Sequence, residues 1–253
     1  PIKLVVPFPP GGGTDIVGRA VGQKLALRLG QPVLIDNKPG ASTIIGTDAV
    51  AKAEPDGYTV LISGSTSYSV NPTLRSKLPY DVSTDLAPVA IVAQAPLALL
   101  VNAASPYQKV GDLVAAAKAK PGVLTYGTYG AGSAPHLSGN LLALATDIKL
   151  QDVPYRGSAQ TMTALLSGEI DFVMDTVAAT LPQVRAGKLR AIGVSTAKRI
   201  PHMPNLPTLD EQGLKGYDLQ TWTSIVAPAA TLIATVLGTL AAVGLVRTNF
   251  PFR

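Results

Sequence analysis

The chain has 253 residues, of which 47% are hydrophobic, 15% charged and 5% aromatic. Such a composition supplies a sizeable core and argues against a disordered chain or a coiled coil. The net charge of +5 arises without a basic run or interleaved aromatic residues, so nothing indicates nucleic-acid binding. The absence of cysteine excludes disulfides and cysteine nucleophiles, two histidines leave little material for a metal centre, and no cofactor motif is present.

The first ninety residues alternate strand and helix signals. The predicted strands and helices follow one another at 2–6, 14–29, 33–35, 43–53 and 59–62. Thr14 or Asp15 is the expected N-cap of the first helix, and Gly30 is expected to end it. A turn is expected at 36–40. This alternation predicts an α/β fold with a mainly parallel sheet that helices cover on both faces.

Apolar segments on both sides of Gln94–Pro96 indicate that the chain crosses there into a second lobe. Strands are then predicted at 125–127, 150–153, 170–174 and 191–194, and helices at 110–119, 136–146, 158–167 and 177–186. Residues 217–226 are expected to lead back to the first lobe. We therefore predict that lobe 1 comprises 1–100 plus 224–253, that lobe 2 comprises 101–223, and that a ligand cleft lies between them.

The two ends of the sequence carry predictions of their own. Pro1 stands where an initiating methionine is expected and a strand begins at Ile2, which indicates a secretory signal peptide that has been removed or, alternatively, a trimmed chain. Near the other end, Ala229–Val246 is an 18-residue run without a charge. This run predicts a C-terminal helix packed against the core. The alternative is a membrane anchor, since its length is at the lower limit for spanning a bilayer.

Phe8–Asp15, with the sequence FPPGGGTD, is the most informative segment. Two prolines stiffen the approach, three glycines remove side chains from the turn, and a helix begins directly afterwards. Unpaired N–H groups at the start of that helix, beside the positive end of its dipole, suit an anion. The alternative interpretation is a tight turn that needs glycine backbone angles and holds no ligand.

Gly130–His136, with the sequence GAGSAPH, repeats this arrangement in the second lobe. Ser133 can cap the following helix or offer its hydroxyl to a ligand. His136 is either a contact for an acid or a structural residue. The spacing does not match G-x-S-x-G, so a hydrolase nucleophile elbow is not supported.

Three further polar positions follow predicted strands. Ser63–Ser69, with the sequence SGSTSYS, points into the crevice where α/β folds bind ligands, or is a solvated linker. Asp175 can accept a hydrogen bond from a ligand or cap the next helix. Arg156 is a chemically suitable carboxylate partner or, alternatively, a surface residue.

Taken together, these segments form an ordered series that is more specific than any one of them. The series runs LVVPFPPGGGTDIVGR, LGQPVLIDNKPGA, EPDGYTVLI, NPTLRSKLPYD, APVA, YGAGSAPHLSGNLL, VPYRGSAQTMTALLSGEIDFVMDT, AGKLRAIGVSTAKR, PNLPTLDEQGLKGYDLQTW and VAP. It resembles the Bug family of solute receptors, also called the TctC family, which serves tripartite tricarboxylate transporters. The resemblance covers about Pro1–Pro228.

The resemblance implies a type II periplasmic binding-protein fold, a Venus flytrap whose two lobes each carry a mixed, mainly parallel sheet flanked by helices. In that family a ligand carboxylate is held largely by backbone amides and ordered waters, from one loop after a strand in each lobe. Carried onto this chain, those loops are Phe8–Asp15 and Gly130–His136, and the hydroxyl loop and Asp175 complete the cleft. The predicted ligand-binding residues are Phe8, Pro9, Gly12, Gly13, Thr14, Asp15, Ser65, Ser67, Gly132, Ser133, Ala134, His136 and Asp175.

The resemblance also implies a function without catalysis and without a cofactor. The protein is expected to be a monomeric periplasmic receptor for a di- or tricarboxylate, an acidic amino acid or an aromatic acid. Capture delivers the solute to a two-protein membrane permease, and some members of the family signal to a sensor kinase.

One departure and one alternative accompany this interpretation. The tail after Pro228 is shorter and poorer in charge than the family pattern, which leaves open how the first lobe is completed. The alternative function is a small α/β hydrolase or transferase that uses Ser133, His136 and Asp175. The missing nucleophile elbow and the missing P-loop argue against it.

Overall fold

The computed structural model describes residues 1–229, and within them the chain forms two compact units. Unit 1 comprises Pro1–Gln94 and the chain from Trp222 onward, and unit 2 comprises Ala95–Thr221. The helix or membrane anchor predicted for the C-terminal tail lies outside the described residues, apart from Ala229 itself. In the part that the structure describes, no helix is long and apolar enough to cross a membrane.

Nine strands and eight α-helices occur in the described residues. The strands are β1 (Ile2–Val6), β2 (Val33–Asn37), β3 (Thr59–Gly64), β4 (Leu86–Asn102), β5 (Thr125–Thr128), β6 (Gln151–Pro154), β7 (Phe172–Thr176), β8 (Leu189–Val194) and β9 (Gln220–Pro228). The helices are α1 (Gly13–Leu29), α2 (Ile44–Ala51), α3 (Asn71–Leu74), α4 (Val82–Asp85), α5 (Val110–Ala119), α6 (Ala134–Thr146), α7 (Ser158–Ser167) and α8 (Val177–Arg185). A π-helical turn (Thr66–Val70) follows β3.

In unit 1 the strand order is β2-β1-β3-β9. The first three strands are parallel to one another, and β9 pairs antiparallel with β3. Apolar side chains on one face of this sheet, such as Leu4, Val6 and Ile62, pack against Val17 and Val21 of α1. A smaller cluster that includes Val50 of α2 covers the other face. Both faces of the parallel part are therefore covered, as the alternation of apolar runs and helices predicts.

In unit 2 the strand order is β6-β5-β7-β4, with β8 paired to the other side of β4. Strand β5 is parallel to β6 and β7, whereas β4 is antiparallel to both β7 and β8. Two apolar clusters fill this unit, one on each face of its sheet. Leu99, Phe172 and Met174 belong to one, and Leu100 and Val173 to the other, as expected for neighbouring residues on a strand.

Two of the predicted local structures are wrong. Helix α1 begins at Gly13 with Gly12 as its N-cap, so neither Thr14 nor Asp15 caps it. The hydroxyl-rich loop predicted at 63–69 is the end of β3 followed by the π-helical turn. The apolar segments on both sides of Gln94–Pro96 belong to one continuous strand, β4, and the chain passes from unit 1 to unit 2 between Gln94 and Ala95 within this strand.

Candidate functional site

The loops predicted to hold a ligand in unit 1 all begin at one edge of its sheet. Because β1, β2 and β3 are parallel, their carboxyl ends at Val6, Asn37 and Gly64 lie together. The chain after β1 leads to α1, the chain after β2 leads to α2, and the chain after β3 enters the π-helical turn. In open α/β sheets this edge is where ligands bind.

The loop between β1 and α1 ends in a helix start that no side chain caps. Gly12 is extended, with φ −80° and ψ 167°, and the first intrahelical hydrogen bond runs from the Ile16 N–H to the Gly12 carbonyl at 3.0 Å. The N–H groups of Gly13, Thr14 and Asp15 therefore have no acceptor inside the helix. They lie at the positive end of the helix dipole, which is the arrangement that favours an anion.

The side chain of Asp15 holds this loop from the first turn of α1. Its buried carboxylate accepts hydrogen bonds from the Gly11 N–H, from Arg19 Nε and from Asn37 Nδ2, each at 2.9 Å. Burial alone would raise the pKa of Asp15, but the hydrogen bonds from Arg19, Gly11 and Asn37 outweigh it and hold the pKa below its usual value. The carboxylate is thus ionised and engaged within the protein, while the backbone N–H of Asp15 has no acceptor inside the helix.

Of the two hydroxyls predicted to contact a ligand after β3, only one is accessible. Ser67 is fully buried, and its Oγ lies 2.6 Å from Ser63 Oγ, 2.9 Å from Thr43 Oγ1 and 3.2 Å from Thr47 Oγ1. These hydrogen bonds tie the π-helical turn to the start of α2. Ser65 is half-buried at the beginning of the same turn. Ser67 therefore braces the edge of the sheet, and Ser65 keeps an accessible surface.

The glycine-rich loop after β5 in unit 2 also leads to an uncapped helix. Ser133 is the N-cap of α6, but its Oγ accepts a hydrogen bond from the Tyr129 N–H at 3.2 Å and caps nothing in the helix. The Gly132 N–H donates to His136 Nδ1 at 3.4 Å. Gly132 and Ser133 are buried, whereas Ala134 and His136 are half-buried. The loop is held by its own side chains, and the first turn of α6 remains open.

Asp175 ends β7 as a buried acid with internal partners. Its carboxylate accepts hydrogen bonds from the Ser158 hydroxyl at 2.5 Å and from the Thr176 N–H at 2.6 Å. The buried hydroxyl of Tyr129 lies beside this carboxylate and, among the described residues, has no well-aligned hydrogen-bond partner. Burial outweighs the hydrogen bonds that Asp175 accepts and raises its pKa. This acid joins the ends of β5 and β7 to the start of α7.

Side-chain capping differs between the helices that follow parallel strands and the two helices that flank β4. Helices α1, α6, α7 and α8 each follow the carboxyl end of a parallel strand, and none has a side-chain cap. By contrast, α4 is capped by Asp81, and Asp112 of α5 reaches back to the N–H groups before that helix. Open helix starts thus occur where a ligand is expected.

A family model described as the tripartite tricarboxylate transporter family receptor matches residues 17–244 of the chain. The chain belongs to this family. The resemblance to Bug and TctC receptors seen in the sequence is therefore confirmed, and the receptor fold and the absence of catalysis follow from membership. The receptors of this family are periplasmic binding proteins.

Curated relatives and solved structures agree with this assignment. Protein BugT of Bordetella pertussis is 38% identical over 232 residues, which is 91% of this chain and 71% of BugT. The structure of R. palustris Rpa4515 with adipate has a TM-score of 0.92 at 36% identity and covers 96% of this chain and 81% of that one. MatC from Rhodopseudomonas palustris, solved with bound malate, has a TM-score of 0.90 at 29% identity, covering 98% and 85%.

The hydrogen bonds of unit 2 do not form the chain of contacts that a hydrolase of the alternative interpretation needs. The Ser133 hydroxyl is engaged with the Tyr129 N–H, and Asp175 is engaged with Ser158 and Thr176. The imidazole of His136 contacts the Gly132 N–H and the side chain of Asn140. Because a nucleophile must be hydrogen-bonded to its base, and the base to an acid, this arrangement agrees with a receptor.

An apolar groove in unit 1 is distinct from these loops in chemistry. It has a volume of about 480 Å³, and residues from the π-helical turn, β4 and β9 line it, among them Tyr68, Val89, Trp222 and Val226. The rings of Tyr68 and Trp222 are stacked, with centroids 5.7 Å apart. A groove with so few polar groups offers no set of donors for a carboxylate.

The sequence prediction missed several residues that shape the site. Asn37 was placed in a turn, yet it ends β2 and contacts the loop after β1. Ser158 was placed only as the first residue of a helix, yet it holds Asp175. A polar residue at the carboxyl end of a predicted parallel strand is a signal that would have pointed to Asn37.

Arg156 is exposed in the loop before α7, and its role as a ligand contact stays a prediction.

Proposed function

We propose that this receptor captures a small organic carboxylate in the periplasm and delivers it to the membrane permease of a tripartite tricarboxylate transporter. The observation that carries the proposal is the open start of α1, where three backbone N–H groups lack an acceptor while Asp15 is fully engaged in holding the loop. Donors of this kind bind the carboxylate and not the body attached to it.

The site is proposed to consist of two half-sites, one from each unit. The loop before α1 and the loop before α6 would each hold part of the ligand, with Ser65 and the surroundings of Asp175 completing the cleft. Closure of the two units on the ligand would be stabilised by the ligand's preference for the closed form. Hydrogen bonds to a charged group contribute roughly 1.5–3 kcal/mol each, so a few backbone donors are sufficient for micromolar affinity.

Two related structures guide the choice of ligand. Rpa4515 was solved with adipate and MatC with malate, which are both dicarboxylates. A dicarboxylate of four to six carbons is therefore the first candidate for this chain. Tricarboxylates, acidic amino acids and aromatic acids come next.

The proposal is tested by a thermal-shift screen of the purified protein against these acids, confirmed by calorimetry. A ligand present at a hundred times its Kd stabilises the folded state by about 2.7 kcal/mol. For a chain of this length the midpoint of unfolding should rise by roughly 5–10 °C. The matched control is the diamide of each acid, which keeps the carbon chain and removes the charge.

A substitution at Gly12 locates the binding site within this test. Since φ of Gly12 is −80°, an L-residue can adopt its backbone, and Gly12→Leu should leave the unfolding midpoint nearly unchanged. The new side chain would stand beside the open N–H groups and should weaken carboxylate binding by roughly 10-fold or more. A panel in which no acid shifts the wild type, or in which Gly12→Leu binds normally, would contradict the proposed site.

Delivery and the monomeric state are further parts of the proposal. Delivery is tested by adding ligand-loaded protein to proteoliposomes that contain a two-protein permease of this class, and uptake should depend on the loaded receptor. A sensor kinase remains a proposed second partner. Sedimentation of the purified chain should give the mass of one copy.

A further inference from the structure

Asn37 occupies an unusual position at the carboxyl end of β2. Its Nδ2 donates one hydrogen bond to the Phe8 carbonyl at 3.0 Å and another to Asp15 Oδ1 at 2.9 Å. Its Oδ1 accepts from Arg19 Nη2 at 3.3 Å. Three of the hydrogen-bonding positions of the amide are thus used, and all three lead to the loop before α1 or to the first turns of that helix.

These contacts fix the loop at two points. Asn37 holds the Phe8 carbonyl, where the loop leaves β1, and Asp15 holds the Gly11 N–H in its middle. Gly11 has φ 87°, a left-handed conformation that glycine adopts without strain. Because Asn37 also donates to Asp15, this one amide supports both fixed points, the second together with Arg19. The N–H groups that follow are left facing outward in a defined arrangement.

The chemistry of the position calls for an amide. Phe8 and Asp15 present two acceptors to it, and Arg19 presents a donor. Asparagine supplies two N–H donors and one carbonyl acceptor in a single planar group. An ionised aspartate of the same shape has no donor, so its oxygens would face the Phe8 carbonyl and the Asp15 carboxylate, and its negative charge would repel that of Asp15. An alanine would leave the Phe8 carbonyl and one oxygen of Asp15 without their partner.

We propose that Asn37 is a positioning residue of the carboxylate site, which sets the geometry of the loop before α1 without touching the ligand. This inference rests on the proposed function, since it concerns the same half-site. The geometry of the half-site would then depend on the last residue of β2 as well as on the glycine-rich loop itself.

The test compares Asn37→Asp with Asn37→Ala between pH 7.5 and pH 4. At pH 7.5 both variants should bind the carboxylate found in the ligand screen roughly 10- to 100-fold more weakly than the wild type. At pH 4 a substantial fraction of the introduced acid is protonated, because its ordinary pKa is about 3.9 and the neighbouring Asp15 raises it. The protonated acid regains one O–H donor in place of the two N–H donors of the amide, so the Asn37→Asp penalty should shrink in part, by roughly 5-fold. The Asn37→Ala penalty should not shrink, because alanine offers no donor at either pH.

Four charged groups surround Asn37. Asp15 and Arg19 belong to α1, and Asp36 and Lys38 are the chain neighbours of Asn37, with Asp36 Oδ2 3.7 Å from Lys38 Nζ. Every affinity is expressed relative to the wild type at the same pH, which cancels the titration of the ligand. The pKa of Asp15, which the hydrogen bond from Asn37 lowers, should rise in both variants, so the difference between the two variants reports on the introduced acid. Gln31→Glu, an exposed change just before β2 and thus at the opposite end of that strand from Asn37, adds one negative charge to the same unit and is the matched control. It should bind as the wild type does at both pH values.

A second measurement reads the loop without a ligand. In protein labelled with ¹⁵N-glycine, the amide signals of Gly11, Gly12 and Gly13 should move in Asn37→Asp at pH 7.5 and return towards the wild-type positions at pH 4. A merely structural role would lower the unfolding midpoint without this reversal. If Asn37→Ala does not fold, the isosteric Asn37→Asp decides alone.

The outcomes separate the two proposals. A wild type that binds no carboxylate overturns the proposed function, and the glycine signals still report on Asn37. A wild type that binds, together with Asn37 variants of unchanged affinity or an Asn37→Asp penalty that does not shrink at pH 4, overturns the positioning role.

Discussion

The two aspartates nearest the proposed site show how one residue type acquires opposite electrostatic behaviour. Both are buried, at 2% exposure each. Asp15 has a cationic partner in Arg19 and its pKa is lowered, whereas Asp175 has only neutral partners and its pKa is raised. A cationic partner and several hydrogen-bond donors stabilise the anionic form of a buried carboxylate and lower its pKa. Where the donors are few and neutral, the effect of burial is larger and the pKa rises.

We expect Asp15→Ala to lower the free energy of unfolding at pH 7 by about 1–3 kcal/mol, because it leaves the Gly11 N–H and the Asn37 amide without their acceptor. It should also weaken carboxylate binding. Since the folded pKa lies below the ordinary value, the stabilisation is present above that value and is lost as the pH falls through the folded pKa. Urea unfolding at pH 7 and pH 3 should therefore show a difference from the wild type that shrinks in acid. A difference independent of pH would contradict the role assigned to the charge.

Asp175→Asn should have the opposite dependence on pH. A folded pKa above the ordinary value means that the wild type is relatively stabilised when Asp175 is protonated, and loses that stability as the pH rises through the folded pKa. The neutral isostere should therefore gain stability over the wild type as the pH rises from 4 to 8, by about 1.4 kcal/mol for each unit of pKa shift. Thermal unfolding across this range is the measurement. A variant that loses stability at pH 8 would show that the anion has partners beyond Ser158 and Thr176.

At the scale of elements, close packing of helices on the sheet depends on a few glycines. Gly139 of α6 faces the ring of Tyr126 on β5, and a Cβ added there would lie 2.2 Å from the ring. Tyr126 is itself stacked on Phe172 with centroids 5.4 Å apart, so it has no room to withdraw. The absence of a side chain at Gly139 sets the distance between α6, which starts at the proposed half-site, and the strand that precedes it.

Gly139→Ala should therefore destabilise the protein by about 1–3 kcal/mol through overpacking, although alanine is the better helix former. The matched control is Gly111→Ala in α5, where an added Cβ meets only the flexible Lys109 side chain at 3.9 Å. That variant should be neutral or up to about 1 kcal/mol more stable. Chemical unfolding of the two variants gives the comparison, and equal stabilities would show that α6 shifts freely on β5.

At the scale of the whole molecule, the two units differ in how the chain builds them. Unit 1 is assembled from both ends of the described chain, whereas unit 2 is one continuous segment, Ala95–Thr221. Both apolar clusters of unit 2 are formed by residues within that segment alone. A continuous segment with its own core meets the conditions for independent folding.

The fragment Ala95–Thr221 should consequently fold without the rest of the chain. We expect a single cooperative unfolding transition and a near-UV circular dichroism signal from its buried tyrosines. Because it would carry only the proposed half-site before α6, it should bind carboxylates at least roughly 100-fold more weakly than the full chain. A fragment without cooperative unfolding would show that the core of unit 2 depends on unit 1.

The fold could be predicted in large part because its signals are local. The bounds of α5 and α7 agree with the prediction, since each is a run of helix-forming residues between clear breaks. Gly30 and Gly168 end their helices in the left-handed conformation, with φ 63° and 77°. The start of α1 was misplaced because Asp15 resembles a cap in the sequence, while its carboxylate bonds backward to Gly11.

The sequence by itself determined the order of strands and helices, the two glycine-rich loops and the family of receptors, because these depend on neighbouring residues and on the spacing of motifs. Only the tertiary structure decided what the polar side chains do. Besides their local partners, Ser67 and Asp175 have hydrogen-bond partners 24 and 17 residues away along the chain, and Asn37 reaches Asp15 and Phe8 over 22 and 29 residues. Such contacts exist only once parallel strands bring their carboxyl ends together, since hydrogen bonds depend on distance in space and not on separation in the chain.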